Sequence, residues 1–100
     1  MSKTFALVTC NLAGWHIYRG NAPAGIGADY FADARLVLEP ENPVDPNAVL
    51  FMRGNIKLGY VPASIAPLVS TLMRNGYTLT PRCVEVAGGK VVFELLMPSL

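Results

Sequence analysis

The single histidine, His16, stands between Trp15 and Ile17 with no Ser, Cys or carboxylate beside it. The relay that nucleophilic catalysis requires therefore has no signature here. Asp29 and Asp33 are spaced i, i+4, and Glu39 and Glu41 flank Pro40. Carboxylates work as an acid–base pair only where the environment of one shifts its pKa, and these four read as solvated surface groups. Cys10 and Cys83 lie far apart and neither belongs to a Cys-x-x-Cys pair. That argues against a zinc ribbon or a dithiol redox site and favours two small buried hydrophobes. Gly25-Ile26-Gly27 lacks the third glycine, the preceding strand and the Lys-Ser/Thr of a phosphate loop. No enzyme chemistry, metal or cofactor is indicated.

A more specific pattern runs from Leu38 to Val49 as Leu-Glu-Pro-Glu-Asn-Pro-Val-Asp-Pro-Asn-Ala-Val, followed by Gly54, by Leu58-Gly59-Tyr60-Val61-Pro62 and by Ile65-Ala66-Pro67-Leu68. Asp45 and Asn47 can hydrogen-bond backbone groups across a turn stiffened by Pro43 and Pro46, which fixes the orientation of a surface carboxylate. A carboxylate so fixed beside a strand mouth is an acceptor for a hydroxyl. Turn-locking alone also accounts for both residues, so the two roles stand side by side. Upstream, Trp15, His16, Tyr18 and Arg19 place aromatic and basic side chains together. The aromatics among them suit packing on a core ahead of base stacking, and Arg19 reads as a solvated cation ahead of a phosphate contact.

The elements that must position these residues are short. Thr4 to Cys10 reads as a buried strand. Trp15 to Asp33, with Gly20, Gly25, Gly27 and Pro23 among Trp15, Tyr18, Tyr30 and Phe31, reads as a long aromatic loop. Ala34–Glu39, Ala48–Arg53 and Ile56–Val61 read as strands, the last two joined by a Gly54-Asn55 hairpin. From Ser64 as N-cap, Ile65, Leu68, Val69 and Leu72 follow helical spacing, with Pro67 in the first turn and Gly76 beyond the end. Tyr77–Val86 and Lys90–Met97 form a final hairpin around Gly88-Gly89. Six strands and one or two short helices in a chain of 100 residues predict a mainly β fold, a partly closed antiparallel barrel, since closure removes exposed edges.

Composition bounds the partners. Hydrophobic residues make up 52 % and charged residues 15 %, which excludes a disordered chain and a polyanion-coating tail. Lys+Arg 8 against Asp+Glu 7 leaves no strong field to steer a ligand, and the apolar surplus hints at a contact surface. A length of 100 residues predicts a single domain spanning 1–100. The run after Lys3 is short for a signal peptide, and no segment is long enough to span a membrane. The cysteine usage predicts a reducing, cytoplasmic location.

From Leu36 to Leu72 the sequence resembles the HIRAN domain family, in the run Asn42-Pro43-Val44-Asp45-Pro46-Asn47-Ala48-Val49, then Gly59-Tyr60-Val61-Pro62 before an Ala-Pro-Leu helix. Leu12-Ala13-Gly14 and the last two strands extend the resemblance over nearly the whole chain. It implies a six-stranded OB-like barrel, found alone in bacteria or at the front of Swi/Snf-type helicases that remodel stalled replication forks. In the helicase members the domain captures the 3′-hydroxyl end of single-stranded DNA. Carried over, Asp45 accepts the hydroxyl, Asn47 supports the turn, and Val44, Tyr60, Trp15, His16, Tyr18 and Arg19 line the site. The resemblance also admits a helicase or nuclease as partner protein and a place in DNA repair.

Two departures from the family pattern, with the hydrophobic composition and the near-zero net charge, sustain an alternative. Val44 occupies a position commonly aromatic in DNA-binding members, and Ala63 one often basic. The basic-aromatic pair near the first glycine falls on His16 and Ile17. The alternative is a protein-interaction module on the same barrel, without DNA-end binding. Oligomeric state is not legible in the sequence.

Overall fold

Phe51 and Phe93 meet with ring centroids 4.5 Å apart and planes inclined by 33°, and around this contact two sheets pack. The structure, a computed structural model, describes residues 3–99; Met1, Ser2 and Leu100, included in the expected 1–100 domain, lie outside the described residues. In chain order it contains β1 (Thr4–Asn11), α1 (Trp15–Tyr18), 3-10 turns at Arg19–Asn21 and Ala28–Phe31, β2 (Arg35–Leu38), β3 (Val49–Arg53), β4 (Ile56–Tyr60), α2 (Ala66–Arg74), β5 (Thr80–Ala87) and β6 (Lys90–Pro98). One antiparallel sheet has the order β1-β6-β5 and the other β2-β3-β4.

Alternation explains the core. Cys10, Phe93 and Cys83 stand in one cross-strand row. Leu36 and Phe51 pair on the inner side of the second sheet, and Val49, Phe51, Phe93 and Leu95 are fully buried. Each such side chain contributes on the order of 1.5–3 kcal/mol. Hairpins at Gly54-Asn55 and Gly88-Gly89 connect β3 to β4 and β5 to β6, as the turn chemistry predicts.

The expected barrel is not closed. Outside the two ladders, the described residues contain one isolated bridge, Ala13↔Tyr60. After Asn11 the chain turns through Gly14, at φ 80°, directly into α1, so β1 cannot extend a ladder along β4. Aromatic side chains fill the space between the sheets instead. Trp15 packs edge-on to Phe31 (5.4 Å, 72°), Tyr30 on Phe31 (5.2 Å, 86°) and Phe31 on Phe93 (5.7 Å, 86°). The segment expected as a loop from Trp15 to Asp33 is thus partly helical, and Trp15 and Phe31 anchor it in the core shared by the two sheets.

Helix α2 also departs from its expected register. Its N-cap is Ile65 rather than Ser64, with Pro67 in the first turn, where the missing N–H has no intrahelical acceptor to lose. The buried positions are Ala66, Val69 and Ser70, while Leu68 is 49 % exposed. The Tyr77 N–H donates to the Leu72 carbonyl and that of Gly76 to Met73, finishing the helix. That is why β5 starts at Thr80 and not at Tyr77.

Candidate nucleic-acid interface

The Pro-rich turn between β2 and β3 is held from both ends. The Asn42 Oδ1 accepts the N–H groups of Val44 (2.9 Å) and Asp45 (3.0 Å), a local side-chain turn of the kind asparagine favours. The Asn42 amide donates to Glu39 Oε1 at 2.6 Å. Further along, Asp45 Oδ1 accepts the Asn47 N–H at 2.9 Å and the Asp45 carbonyl accepts the Ala48 N–H. Asn47 Oδ1 in turn accepts from Ser70 Oγ (3.3 Å) and Arg74 Nη1 (3.2 Å), and Arg74 Nη2 donates to the Pro46 carbonyl at 2.8 Å. Asp45 is therefore fixed by a turn anchored to β2 on one side and to α2 on the other.

This turn forms one wall of a cleft of about 350 Å³ lined by Ala13, Asn42, Val44, Asp45, Tyr60 and Ala63, among others. The opposite wall depends on Gly59. A Cβ at that position would lie 2.5 Å from the Ala13 carbonyl oxygen, and its φ of 153° disfavours any L side chain. Only glycine lets Ala13 and Tyr60 exchange backbone hydrogen bonds of 2.9 and 2.8 Å. The Tyr60 hydroxyl donates to Glu39 Oε1 at 2.8 Å, and Lys57 Nζ lies 3.9 Å from Glu39 Oε2. The Asn42 hydrogen bond, reinforced by Tyr60 and Lys57, holds the Glu39 carboxyl below its usual pKa against the opposing cost of burial. Burial, then the Glu39 carboxylate, keep the Tyr60 phenol protonated well above its usual range. Glu39 is thus a bonded member of the site and not the freely solvated carboxylate its sequence context suggests.

The sequence matches the HIRAN domain family model over residues 6–97. The chain belongs to the HIRAN domain family. No curated protein matches the sequence. Among solved structures, this HIRAN domain is similar to a protein from Lactobacillus plantarum, with a TM-score of 0.73, 20 % identity and 100 % of both chains covered. It is also similar to the HIRAN domain of human HLTF, with a TM-score of 0.68, 18 % identity and coverage of 98 % of this chain and 79 % of that one. These likenesses are of fold.

Within this HIRAN domain the residues singled out from sequence divide into two groups. Val44, Asp45 and Tyr60 line one cleft; Asn47 braces its turn, and the Tyr18 ring lies beside Tyr60 with centroids 6.4 Å apart. Trp15, only 7 % exposed, belongs to the hydrophobic core, so its packing role is the one the structure displays. His16 is exposed on α1. Arg19 borders a separate depression with Ala22–Ile26 and Gly89. Neither lines the Asp45 cleft. Sequence reasoning missed Glu39, Asn42, Ser70 and Arg74. Asn42 carried a signal, since Asn before Pro initiates turns; Arg74, distant in sequence from the turn, carried none. Among the described residues, no three His, Cys, Asp or Glu side chains gather as a metal site, and no helix is long and apolar enough to cross a membrane.

Proposed function

We propose that this domain binds single-stranded DNA and seats the 3′-hydroxyl end against Asp45. At the level of the family, HIRAN is a nucleic-acid-binding module and a binding domain rather than a catalytic one. The observation that carries the finer reading is the placement of Asp45. One carboxylate oxygen is committed to the Asn47 N–H, while the group as a whole lines an open, largely apolar cleft. A terminal nucleotide presents an apolar base face and a hydroxyl donor, which such a cleft complements. The hydrogen bond from a hydroxyl to a charged acceptor contributes on the order of 1.5–3 kcal/mol. A terminal phosphate would instead bring negative charge against Asp45. A protein that recognises strand ends in this way fits DNA repair or replication-fork processing.

The test is fluorescence anisotropy at low salt with a short labelled strand ending in a 3′-hydroxyl or a 3′-phosphate, for the wild type and Asp45→Asn. Asn keeps an acceptor for the Asn47 N–H and so preserves the turn. Preference for the hydroxyl in the wild type, lost in a variant that melts at an unchanged temperature, supports end capture. Equal binding of both strands moves the site to a general groove. A second reading is favoured by Val44, 91 % exposed at the cleft: an apolar side chain of a partner protein would fill the same space. Absence of binding to either strand would make that reading the better one.

A further inference from the structure

We infer that the single strand leaves the Asp45 cleft over the Tyr60–Tyr18 pair and lays its next phosphates along Lys57 and Arg35, on the outer face of the β2-β3-β4 sheet. This deepens the proposed function and rests on it for the position of the strand's terminus.

The strand register places these groups. Leu50 pairs with Val37 on one side and Tyr60 on the other, and Met52 pairs with Arg35 on one side and Lys57 on the other. Directly opposed residues share a sheet face, as do residues two apart on one strand. The face that carries Tyr60 therefore continues, two β3 residues or ~7 Å further on, into a row of two cations flanking a methionine. The bulge between Phe51 and Met52 makes this possible. Without the extra residue in β4, Lys57 would not fall on the same face as Tyr60.

A second depression, of about 520 Å³, is lined by Tyr18, Asn55, Ile56 and Lys57, and the Tyr18 ring that borders it packs on Tyr60 of the Asp45 cleft. The two hollows are thus joined by an aromatic pair, a surface suited to a base of either strand direction. A backbone crossing it meets positive charge at the step where its next phosphate falls.

Three of the other six cations are committed elsewhere. Arg53 is occupied by the Tyr30 carbonyl at 2.9 Å and lies over the Tyr30 ring at 4.4 Å. Arg74 braces the turn, and Arg82 is paired with Glu94. Arg35 gives one donor to the Gly54 carbonyl at 3.0 Å and retains the others of its guanidinium fork. Lys57 has only the long contact to Glu39, with its side chain 49 % exposed, a pairing that costs little to exchange. The Glu39 charge is shared among Asn42, Tyr60 and Lys57, which moderates its repulsion of a passing phosphate.

The test is the salt dependence of binding to an eight-nucleotide strand ending in a 3′-hydroxyl, followed by anisotropy. Each neutralised phosphate of a single strand contributes a slope of about −0.7 in log K against log salt. The wild type is expected near −1.4, and Lys57→Gln and Arg35→Gln each about 0.7 shallower. Lys57→Arg should restore the slope, and Lys90→Gln, on the other sheet, should leave it unchanged. In both Gln variants the ratio of 3′-hydroxyl to 3′-phosphate binding should stay at the wild-type value. An unchanged slope in both would overturn the path, as would a slope that falls in Lys90→Gln instead. If the wild type ignores the terminal phosphate while the Lys57 and Arg35 variants still lose slope, the path stands and the end-capture reading falls. Absence of any binding overturns both.

Discussion

Tyr60 and Glu39, 21 residues apart, are joined by a hydrogen bond of 2.8 Å that ties the end of β4 to the residue just after β2. The same Glu39 oxygen accepts the Asn42 amide, so one carboxylate couples the floor of the cleft to the turn that presents Asp45. Tyr60→Phe removes the hydroxyl and keeps the ring. It should destabilise the domain by about 1–2 kcal/mol, the range of a hydrogen bond to a charged partner in a half-exposed setting. The Glu39 pKa should rise toward its ordinary value. Urea unfolding gives the first quantity and an NMR titration of the Glu39 carboxyl the second; an unmoved titration would mean that Tyr60 does not act on Glu39.

Glu39 also sets a pH dependence whose direction follows from its lowered pKa. The folded protein holds the ionised form more favourably than the unfolded chain does. The stabilisation is therefore complete above the ordinary glutamate pKa of 4.5 and is lost as pH falls through the depressed folded value. Thermal melting below pH 4.5 should show this acid limb in the wild type. In Glu39→Gln the limb should be shallower, with a lower melting temperature at neutral pH. A variant with the same acid limb would assign the effect to other carboxylates.

Much of this was legible in the sequence, for identifiable reasons. Apolar and β-branched runs bounded by turn residues gave the six strands, and the Gly54-Asn55 and Gly88-Gly89 turns gave two hairpins, because strand composition and turn chemistry are local properties. Pro43, Asp45, Pro46 and Asn47 announced a fixed turn for the same reason. What the pattern could not show was whether the sheets close, since that depends on the turn at Gly14 into α1 and on Trp15 and Phe31 packing into the space between the sheets. Nor could it separate core from site among the aromatics: Trp15 and Tyr18 share one turn of α1, yet one lies in the core and the other beside Tyr60. The brace from Arg74 to the Asn47 side chain spans 27 residues, and no local spacing encodes it.

That brace yields a third prediction. Asn47→Ala deprives Ser70 and Arg74 of their shared acceptor while leaving the Asn47 N–H to Asp45 in place. The buried Ser70 hydroxyl retains the Pro67 carbonyl at 3.2 Å, so the cost should be moderate, about 1–2 kcal/mol in urea unfolding. Preference for a 3′-hydroxyl should weaken as the turn loosens from α2. A stable variant with unchanged end preference would show that the Asn47 side chain is not needed to hold Asp45, the Asn42 bonds and the Arg74 contact to the Pro46 carbonyl sufficing.

The cleft's own composition gives the last test. Val44 is 91 % exposed, and its backbone N–H is already held by Asn42, so a larger side chain there neither disturbs the core nor strains the turn. Val44→Tyr adds a stacking face at the rim, and a base stacked on an aromatic gains about 1–3 kcal/mol. Affinity for a single strand should therefore rise about tenfold, since each 1.4 kcal/mol is a factor of ten, with no change in melting temperature. The gain should be larger for a strand ending in a 3′-hydroxyl, because only then does the terminal base lie beside the turn. An equal gain for both ends would place bases at Val44 without end recognition, and no gain at all would remove the rim of this cleft from the DNA path.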